Sequence, residues 1–307
     1  MIAKRLHTSA GQYILDTLKL YKKCIGYNFP LNYYPVTYPF FGVRSTVSGV
    51  GYNVAKALAC LGHEVALASL IGADRNGRWV RDSFVEIGID PGGLVANLRE
   101  TCESVILYDP SGRRQIHTDL KDIQQQHYPE AEARRALAGC ELAVLCNINF
   151  ARPLLALAQQ AGKPIATDVH VLANPDDDYN RDFMAAADIL FLSDEGLHGR
   201  DPHDYLRELH SRYHNRLLVM GRGGDGALLY VAADRQFYHA PAVTPRPVVN
   251  TIGAGDALFS AFVHGIASHG NPYQALKQAV YFAGWKIGER GAAEGFISAA
   301  ALAAAGH

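Results

Sequence analysis

The segment VVNTIGAGDALFSAF, residues 248–262, predicts a strand, a glycine turn and a helix in succession. It begins with β-branched residues, turns through Gly253-Ala254-Gly255, and continues with apolar residues at helical spacing. The first amides of a helix lack internal acceptors and lie at the positive end of its dipole. Glycine also lets a ligand approach the backbone closely. The turn therefore predicts a binding site for an anionic group, for which phosphate is the usual ligand.

A carboxylate, Asp256, follows this turn in the first turn of the predicted helix. Because a carboxylate beside a bound phosphate is repelled by it, a purely structural role would be unexpected. Asp256 fits a chemical role better, as the group that accepts a proton from a hydroxyl attacking phosphorus. The alternative is that Asp256 caps its helix and binds nothing. The G-A-G-D pattern alone leaves both interpretations open.

The length allows one large α/β domain, or a main domain with an appendage, and we expect a single domain over residues 1–307. Charged residues make up 19% and hydrophobic residues 49% of the chain, which is typical of a folded globular protein. The net charge of -1, without a basic run, argues against nucleic acid as a partner. No apolar run reaches membrane-spanning length, and the N-terminus lacks a signal-peptide core. Five cysteines without metal-binding spacing indicate reduced thiols, so we expect a cytoplasmic location.

Strand and helix patterns alternate along most of the chain. A second glycine turn leads into a helix over residues 48–62, and a buried strand, EVALASLIG, follows it. This alternation predicts a mostly parallel sheet with helices on both faces. Asp168 and His170 come at a strand end, where ligands of parallel sheets gather. The alternative for His170 is a polar residue with ordinary protein partners.

Two segments depart from the alternation and predict a small β-sheet lid. Residues 17–47 are rich in Tyr, Phe and Pro, and residues 98–122 contain a hairpin pattern around Asp109-Pro110-Ser111-Gly112. An irregular loop packed on the core is the alternative for the first segment. Exposed edges and aromatic side chains could also pair two copies into a homodimer through the lid, and a monomer with its own lid is the alternative.

The sequence GRGGDG at residues 221–226 matches the G-x-G-x-x-G pattern of dinucleotide-binding proteins. The residues that follow, ALLYVAA, read as a second strand, whereas a dinucleotide site needs a helix there. A hairpin is therefore the better interpretation. A nicotinamide-dependent dehydrogenase would rest on this pattern alone.

Taken together, these motifs resemble the ribokinase-like (PfkB-type) carbohydrate kinase family. The family's D-T-x-G-A-G-D signature is matched by residues 250–256, and its N-terminal glycine pair followed by Asn is matched by residues 48–53. A G-x-D-x-x-G step matches residues 72–77, an early G-x-x-x-x-D matches residues 11–16, and a nucleotide-side glycine turn matches residues 223–226. The order and spacing agree over nearly the whole chain.

The resemblance implies a three-layer α/β/α sandwich with a mostly parallel central sheet and a small β-sheet lid. It implies an ATP-dependent kinase that phosphorylates a hydroxyl, typically a CH₂OH group, of a small sugar or nucleoside. Mg²⁺ would bridge the ATP phosphates, and a monovalent cation such as K⁺ could lie near the anion-hole loop. The implied roles are Asp256 as catalytic base, the amides of Gly253, Ala254 and Gly255 as anion hole, Asp16, Gly49 and Asn53 as acceptor-binding residues, and Gly223, Gly226, Ala283 and Gly284 as the border of the adenine pocket.

Three motifs depart from the family pattern. Asn250 replaces the first Asp of the signature, and Ser48 replaces the first glycine of the N-terminal pair. The N-x-x-E metal-side motif is lost in residues 193–196, where Asp194 or Glu195 could act on the metal through water. These departures keep open an alternative function, a catalytically silent member of the fold that binds a sugar or a nucleotide. The acceptor also stays open among ribose, fructose, a ketodeoxy sugar acid and a nucleoside.

Overall fold

A nine-stranded sheet forms the centre of the part of the chain that a computed structural model describes, residues 2–6, 9–10, 44–108 and 114–305. The strands are β1 (Ile2–Leu6), β2 (Ser9–Ala10), β3 (Val47–Ser48), β4 (Val65–Gly72), β5 (Leu94–Leu98), β6 (Glu103–Tyr108), β7 (Arg114–Asp119), β8 (Leu142–Val144), β9 (Ile165–Val171), β10 (Ile189–Ser193), β11 (Leu217–Gly221), β12 (Ala227–Val231) and β13 (Gln236–Ala240). Within these ranges the nine-stranded sheet has the order β13-β12-β11-β10-β9-β8-β1-β4-β5, and two further sheets of two strands each are β2-β3 and β6-β7.

The strands from β5 to β11 in this order run parallel, and β12 and β13 are antiparallel additions at one edge. The first strand, β1, lies between β4 and β8, with Ile2 aligned with both Val65 and Leu142. The sequence patterns did not predict β1, because the short stretch IAKRL is interrupted by two charged residues. The predicted mostly parallel sheet is confirmed.

Helices cover both faces of this sheet and bury a separate hydrophobic cluster on each side. Strand β4 contributes to both, because Leu67 and Ile71 point into one cluster and Ala68 and Leu70 into the other. This double burial explains the continuous apolar strand pattern and confirms the three-layer α/β/α arrangement. The helices are α1 (Val50–Cys60), α2 (Arg75–Glu86), α3 (Glu130–Ala138), α4 (Arg152–Gln160), α5 (Arg181–Ala186), α6 (Pro202–Tyr213), α7 (Ala254–His269), α8 (Pro272–Lys286) and α9 (Ala299–Ala305).

The strand predicted immediately before the glycine turn of residues 253–255 is wrong. Val248 and Val249 are 52% and 53% exposed and belong to no sheet. The backbone amides of Val249 and Asn250 instead both donate to the carbonyl of Ile287, at 2.8 and 3.0 Å. The segment therefore lies beside the end of α8, because its amides are satisfied there rather than by a neighbouring strand.

The hairpin predicted within residues 98–122 is confirmed. Its two strands, β6 and β7, pair antiparallel from Glu103 with Asp119 to Tyr108 with Arg114. Residues 109–113, which separate the two strands in the sequence, lie outside the described residues. So do residues 17–43 of the other predicted lid segment, and so does Asp16. Whether the two segments form one lid stays a prediction.

Hydrogen bonds of Asp74, the aspartate of the G-x-D-x-x-G match, connect the segment before this hairpin to the end of strand β4. The Asp74 carboxylate accepts hydrogen bonds from the amides of Gly77 and Thr101 at 2.7 and 2.8 Å, and from the Thr101 hydroxyl at 2.7 Å. A Cβ at Gly72 would lie 2.6 Å from the amide nitrogen of Thr101. This motif therefore joins the start of helix α2 to the strand pair that would cover the site.

No helix within the described ranges is long and apolar enough to cross a membrane. Among the described residues, Cys60, Cys102, Cys140 and Cys146 form no disulfide bond; Cys60 is exposed and the other three are buried.

Candidate active site

The glycine turn at the start of α7 has a geometry that only glycine accommodates. Gly253 is the residue that precedes the helix, and its φ of 74° lies in the left-handed region. A Cβ built on Gly253 would lie 2.4 Å from the carbonyl oxygen of Ala292. Because both the dihedral angle and the close approach exclude a side chain, the backbone itself forms this surface.

The three amides predicted to form the anion hole differ in their present partners. The Ala254 amide donates to the carbonyl of Thr251 at 3.2 Å, a long hydrogen bond. For the amides of Gly253 and Gly255, the described residues provide no hydrogen-bond acceptor. These two amides are therefore the ones most directly available to an anion, and the anion hole stays a prediction.

Asp256 is joined to Asn53 across 203 residues of sequence. The side-chain amide of Asn53 donates to Asp256 Oδ2 at 2.6 Å, and the Ser48 hydroxyl donates to Asn53 Oδ1 at 3.2 Å. Asn53 is buried, and its backbone amide donates to the carbonyl of Gly49, the residue that precedes α1. The two helices that follow glycine turns, α1 and α7, therefore meet through a hydrogen-bonded chain that fixes the Asp256 carboxylate.

The structure also argues against Asp256 as a helix cap. Gly253 occupies the capping position, and no side chain caps the first turn of α7. Burial raises the pKa of Asp256 above the ordinary 3.8, and the charge of Asp168 acts in the same direction. The hydrogen bond from Asn53 and the positive charges of His170 and Lys286 act in the opposite direction. A carboxylate whose affinity for protons is raised while it stays accessible to a ligand suits a general base.

Replacing Asn53 by Ala should move the acid limb of the kcat/KM profile to higher pH. The substitution removes the hydrogen bond that favours the carboxylate, so the pKa of Asp256 should rise further. Activity that needs the carboxylate should then be lost at a higher pH than in the wild type. The measurement is kcat/KM against pH for both proteins.

Ser48→Ala is the control for Asn53→Ala, because it removes only the outer hydrogen bond, to Asn53 Oδ1, and should shift the limb less. An acid limb at the same pH in wild type and Asn53→Ala would show that Asp256 does not control it.

A charge pair, Asp168 and His170, lies near Asp256 at the carboxyl end of β9. The sequence placed both residues at a strand end without assigning them to the predicted site. The backbone amide of His170 donates to Asp168 Oδ1 at 2.8 Å, and its Nδ1 lies 3.5 Å from Asp168 Oδ2. Burial lowers the pKa of His170, but the charges of Asp168 and Asp256 and the Asp168 hydrogen bond outweigh it and raise the pKa to about 9. His170 is therefore an imidazolium at neutral pH. The strand-end position was the signal that pointed to it.

His170→Gln should destabilise the protein more at pH 6 than at pH 9.5. A histidine whose folded pKa is about 9, against 6.5 for the free group, contributes stability that is fully present below pH 6.5 and is lost as the pH rises through 9. Because the His170 side chain is 42% exposed, screening reduces the expected difference to about 1 kcal/mol. Urea unfolding of both proteins at the two pH values measures it. In an Asp168→Asn background the pH dependence of the difference should shrink, whereas an equal loss of stability at both pH values would contradict the charge assignment.

Two of the four residues predicted on the nucleotide side, Gly226 and Gly284, lie against one backbone segment. The turn that contains Gly223 and Gly226 joins β11 to the antiparallel β12, which confirms the hairpin and leaves no helix for dinucleotide binding. A Cβ on Gly226 would lie 2.1 Å from the carbonyl of Ala240, and one on Gly284 would lie 2.0 Å from the carbonyl of Val243. Residues 240–243 thus run between the two glycines.

The predicted metal-side residues follow β10 in a short turn, Asp194–Gly196. Asp194 is half-buried and Glu195 is exposed. Burial raises the pKa of Asp194, and Glu195 and Asp225 add to this, while the positive charge of Arg222 opposes it. The turn after β10 is therefore close to the turn after β11, which places the predicted metal side next to the predicted nucleotide side.

Comparison with known proteins gives the same assignment along most of the chain. The family described as pfkB family carbohydrate kinase matches residues 27–299. An acarbose 7(IV)-phosphotransferase from Actinoplanes is 27% identical over 233 residues, which cover 75% of this chain and 76% of that protein.

Solved structures agree in fold. A microbiome-derived acarbose kinase superposes with a TM-score of 0.83 at 24% identity, covering 99% of this chain and 97% of that one. A structure from E. coli, described as a ribokinase II in complex with ATP and Mg²⁺, superposes with a TM-score of 0.75 at 15% identity, covering 99% and 97%. The family match covers far more than half of this chain. The chain therefore belongs to the pfkB family of carbohydrate kinases, phosphotransferases that act on a sugar hydroxyl.

Proposed function

We propose that this kinase transfers the γ-phosphoryl group of ATP to a hydroxyl, typically a CH₂OH group, of a small sugar or nucleoside. The observation that carries the proposal is the 2.6 Å hydrogen bond from Asn53 to Asp256. It holds a carboxylate beside the N-terminus of α7, where the amides of Gly253 and Gly255 have no acceptor among the described residues. We assign these amides to the anion. A base and an anion site side by side are the two protein contributions that phosphoryl transfer needs.

In the proposed reaction Asp256 takes the proton from the acceptor hydroxyl. The hydroxyl oxygen forms a bond to the γ-phosphorus while the bond from that phosphorus to the bridging oxygen of ADP breaks. The amides of Gly253, Ala254 and Gly255 stabilise the negative charge on the transferring group, and each donor is worth about 3 kcal/mol in comparable sites. For Ala254 this requires that its long bond to Thr251 gives way.

On the acceptor side we assign Asp16, Gly49 and Asn53 to the sugar hydroxyls. The position of Gly49 and Asn53 at the start of α1, next to Asp256, supports their part of the assignment. Asp16 lies outside the described residues and enters by family resemblance alone. The His170 imidazolium supplies a positive charge at the same end of the sheet.

On the nucleotide side we assign Gly223, Gly226, Ala283 and Gly284 to the adenine pocket. Their support is the shared contact of Gly226 and Gly284 with residues 240–243. Asp194 and Glu195 supply hard carboxylate oxygens, which suit Mg²⁺ held chiefly by ATP phosphates and water. Within the described residues no cluster of three or more acidic, His or Cys side chains could hold a metal alone, which agrees with that mode of binding. Bound Mg²⁺ would neutralise charge on the phosphates.

We further propose that residues 1–307 form one kinase domain, with residues 17–47 and 98–122 as a lid that excludes water from the site. The support is the β6–β7 hairpin and its attachment through Asp74. Pairing of two lids in a homodimer stays a prediction, and light scattering of the purified protein tests it.

The proposed function is tested by ADP release with Mg-ATP over a panel of acceptors. The panel contains ribose, fructose, a ketodeoxy sugar acid and nucleosides, and also acarbose, because two similar proteins carry that sugar in their names. We expect turnover with one acceptor class. A product phosphorylated on CH₂OH should give a phosphorus NMR signal split by two protons.

Calorimetry separates the alternative function from the proposed one. Binding of ATP and of an acceptor without ADP production would favour a catalytically silent member of the fold. Splitting of the phosphorus signal by a single proton would keep the kinase and move the acceptor to a ring hydroxyl.

A further inference from the structure

Lys286, the last residue of α8, has a side chain with no exposed surface. A lysine is almost never fully buried, because removing an ammonium group from water is costly unless the protein supplies partners for it. Its Nζ donates a hydrogen bond to the carbonyl oxygen of Ile252, directly before the glycine turn. Because this burial is costly, we expect the ammonium group to have a functional role at the glycine turn.

The bonded carbonyl belongs to the peptide group whose amide is that of Gly253. In a trans peptide the carbonyl and the amide point in opposite directions, and the described residues contain no cis peptide bond. An ammonium on the Ile252 oxygen therefore directs the Gly253 amide away from Lys286 and strengthens it as a donor by polarising the peptide. Lys286 thus acts on the first donor of the proposed anion hole from the opposite side of the peptide.

Neighbouring contacts hold the segment in place around this ammonium. The Ile252 amide donates to Asn250 Oδ1 at 2.8 Å, and the amides of Val249 and Asn250 both donate to the carbonyl of Ile287, adjacent to Lys286. The end of α8 therefore fixes the segment before the turn with two backbone hydrogen bonds and one charged one.

These contacts do not fit the monovalent cation that the family resemblance suggests near this loop. Position 250 holds a neutral amide in place of a carboxylate, and the loop already faces an internal positive charge. A second cation beside Lys286 would be repelled and would lack the anionic ligand. We propose that Lys286 is a positioning residue that takes the place of the monovalent cation, so that this kinase turns over without K⁺. The inference rests on the proposed function of the glycine turn.

The first test uses the wild-type protein in KCl and in choline chloride at equal ionic strength. We expect kcat to agree within about twofold and the melting temperature to be the same in both salts, because no specific K⁺ binding stabilises the folded state. A kcat that is about tenfold or more higher in KCl would overturn the proposal. If no acceptor turns over, the proposed function fails separately, and the melting temperature still decides whether K⁺ binds.

The second test uses Lys286→Ala, which opens a space where the ammonium lies. In choline chloride its kcat should fall at least about tenfold, as is usual when a supporting charged partner is lost. KCl or ammonium chloride should restore part of kcat and raise the melting temperature of this variant only. Lys286→Met, which fills the space with apolar atoms, should lose kcat without recovery.

The matched control is Lys277→Met, since Lys277 is an exposed lysine of the same helix whose ammonium lies 5.8 Å from the Tyr238 ring centre. It should keep wild-type kcat in both salts. Full kcat of Lys286→Ala in choline chloride would overturn the proposal. If that variant does not fold, the wild-type comparison of the two salts still supports or overturns it.

Discussion

Asp256→Asn should lower kcat by about 100-fold to 10,000-fold, the range expected when a general base is removed. The amide has nearly the same shape and can stay beside Asn53, but it cannot accept the proton of the acceptor hydroxyl. Binding of ATP should be affected little, because the substitution leaves the glycine turn unchanged. Steady-state ADP release and calorimetric titration with ATP measure the two effects.

The same substitution should leave the protein at least as stable as the wild type. The folded-state pKa of Asp256 is raised by burial, so the carboxylate form costs stability at every pH above its ordinary pKa. Replacing it by a neutral amide removes that cost at neutral pH. Urea unfolding at pH 7 is the check, and equal or greater stability with lost turnover would separate a catalytic role from a structural one.

The matched control for Asp256→Asn is Asp204→Asn. Asp204 is also the third residue of its helix, Pro202–Tyr213, but it is exposed and paired with Arg207 on the surface. The Asp204→Asn variant should keep the wild-type kcat. That result would show that loss of a carboxylate from a helix N-terminus does not by itself lower kcat. If acceptors turn over and Asp256→Asn is unimpaired, the fold assignment stands and the proposed base is wrong.

The local parts of this site were predictable from sequence because their signals are local. The glycine turn, Asp256 in the first helical turn and the hairpin at residues 221–226 each depend on residues close together in the chain. The alternation of strands and helices predicted the parallel sheet for the same reason. The strand predicted at residues 248–250 does not form. The amides of Val249 and Asn250 donate to the carbonyl of Ile287, which is distant in sequence, and not to a neighbouring strand.

Long-range pairings carried no such signal. Asn53 and Asp256 were each predicted as site residues, but nothing in the sequence indicates that they bond to each other across 203 residues. Lys286 lies within the helical stretch AVYFAGWKIG, where a lysine reads as an ordinary exposed residue. Only the packing of α8 against the loop before Gly253 shows that its ammonium is buried. Strand β1, short and partly charged, becomes a central strand because β4 and β8 flank it.

Gly253→Ala should lower kcat by about 100-fold or more, the loss typical when one donor of an anion hole is displaced. The added Cβ would lie 2.4 Å from the Ala292 carbonyl, and both partners are backbone, so the turn itself must move. The left-handed φ of 74° adds strain of about 1 kcal/mol for a residue with a side chain. In the proposed mechanism, the Gly253 amide, whose carbonyl partner Ile252 accepts the Lys286 hydrogen bond, would then no longer point at the phosphoryl group.

Gly270→Ala separates strain from displacement. Gly270 ends the same helix with a φ of 71°, but a Cβ there would meet no atom within 4 Å. It should lose about 1 kcal/mol of stability while kcat stays at the wild-type value. The measurements are urea unfolding and ADP release for both variants. If Gly253→Ala loses only what Gly270→Ala loses, the turn does not contact the phosphoryl group, and the anion must bind elsewhere along α7 or α1.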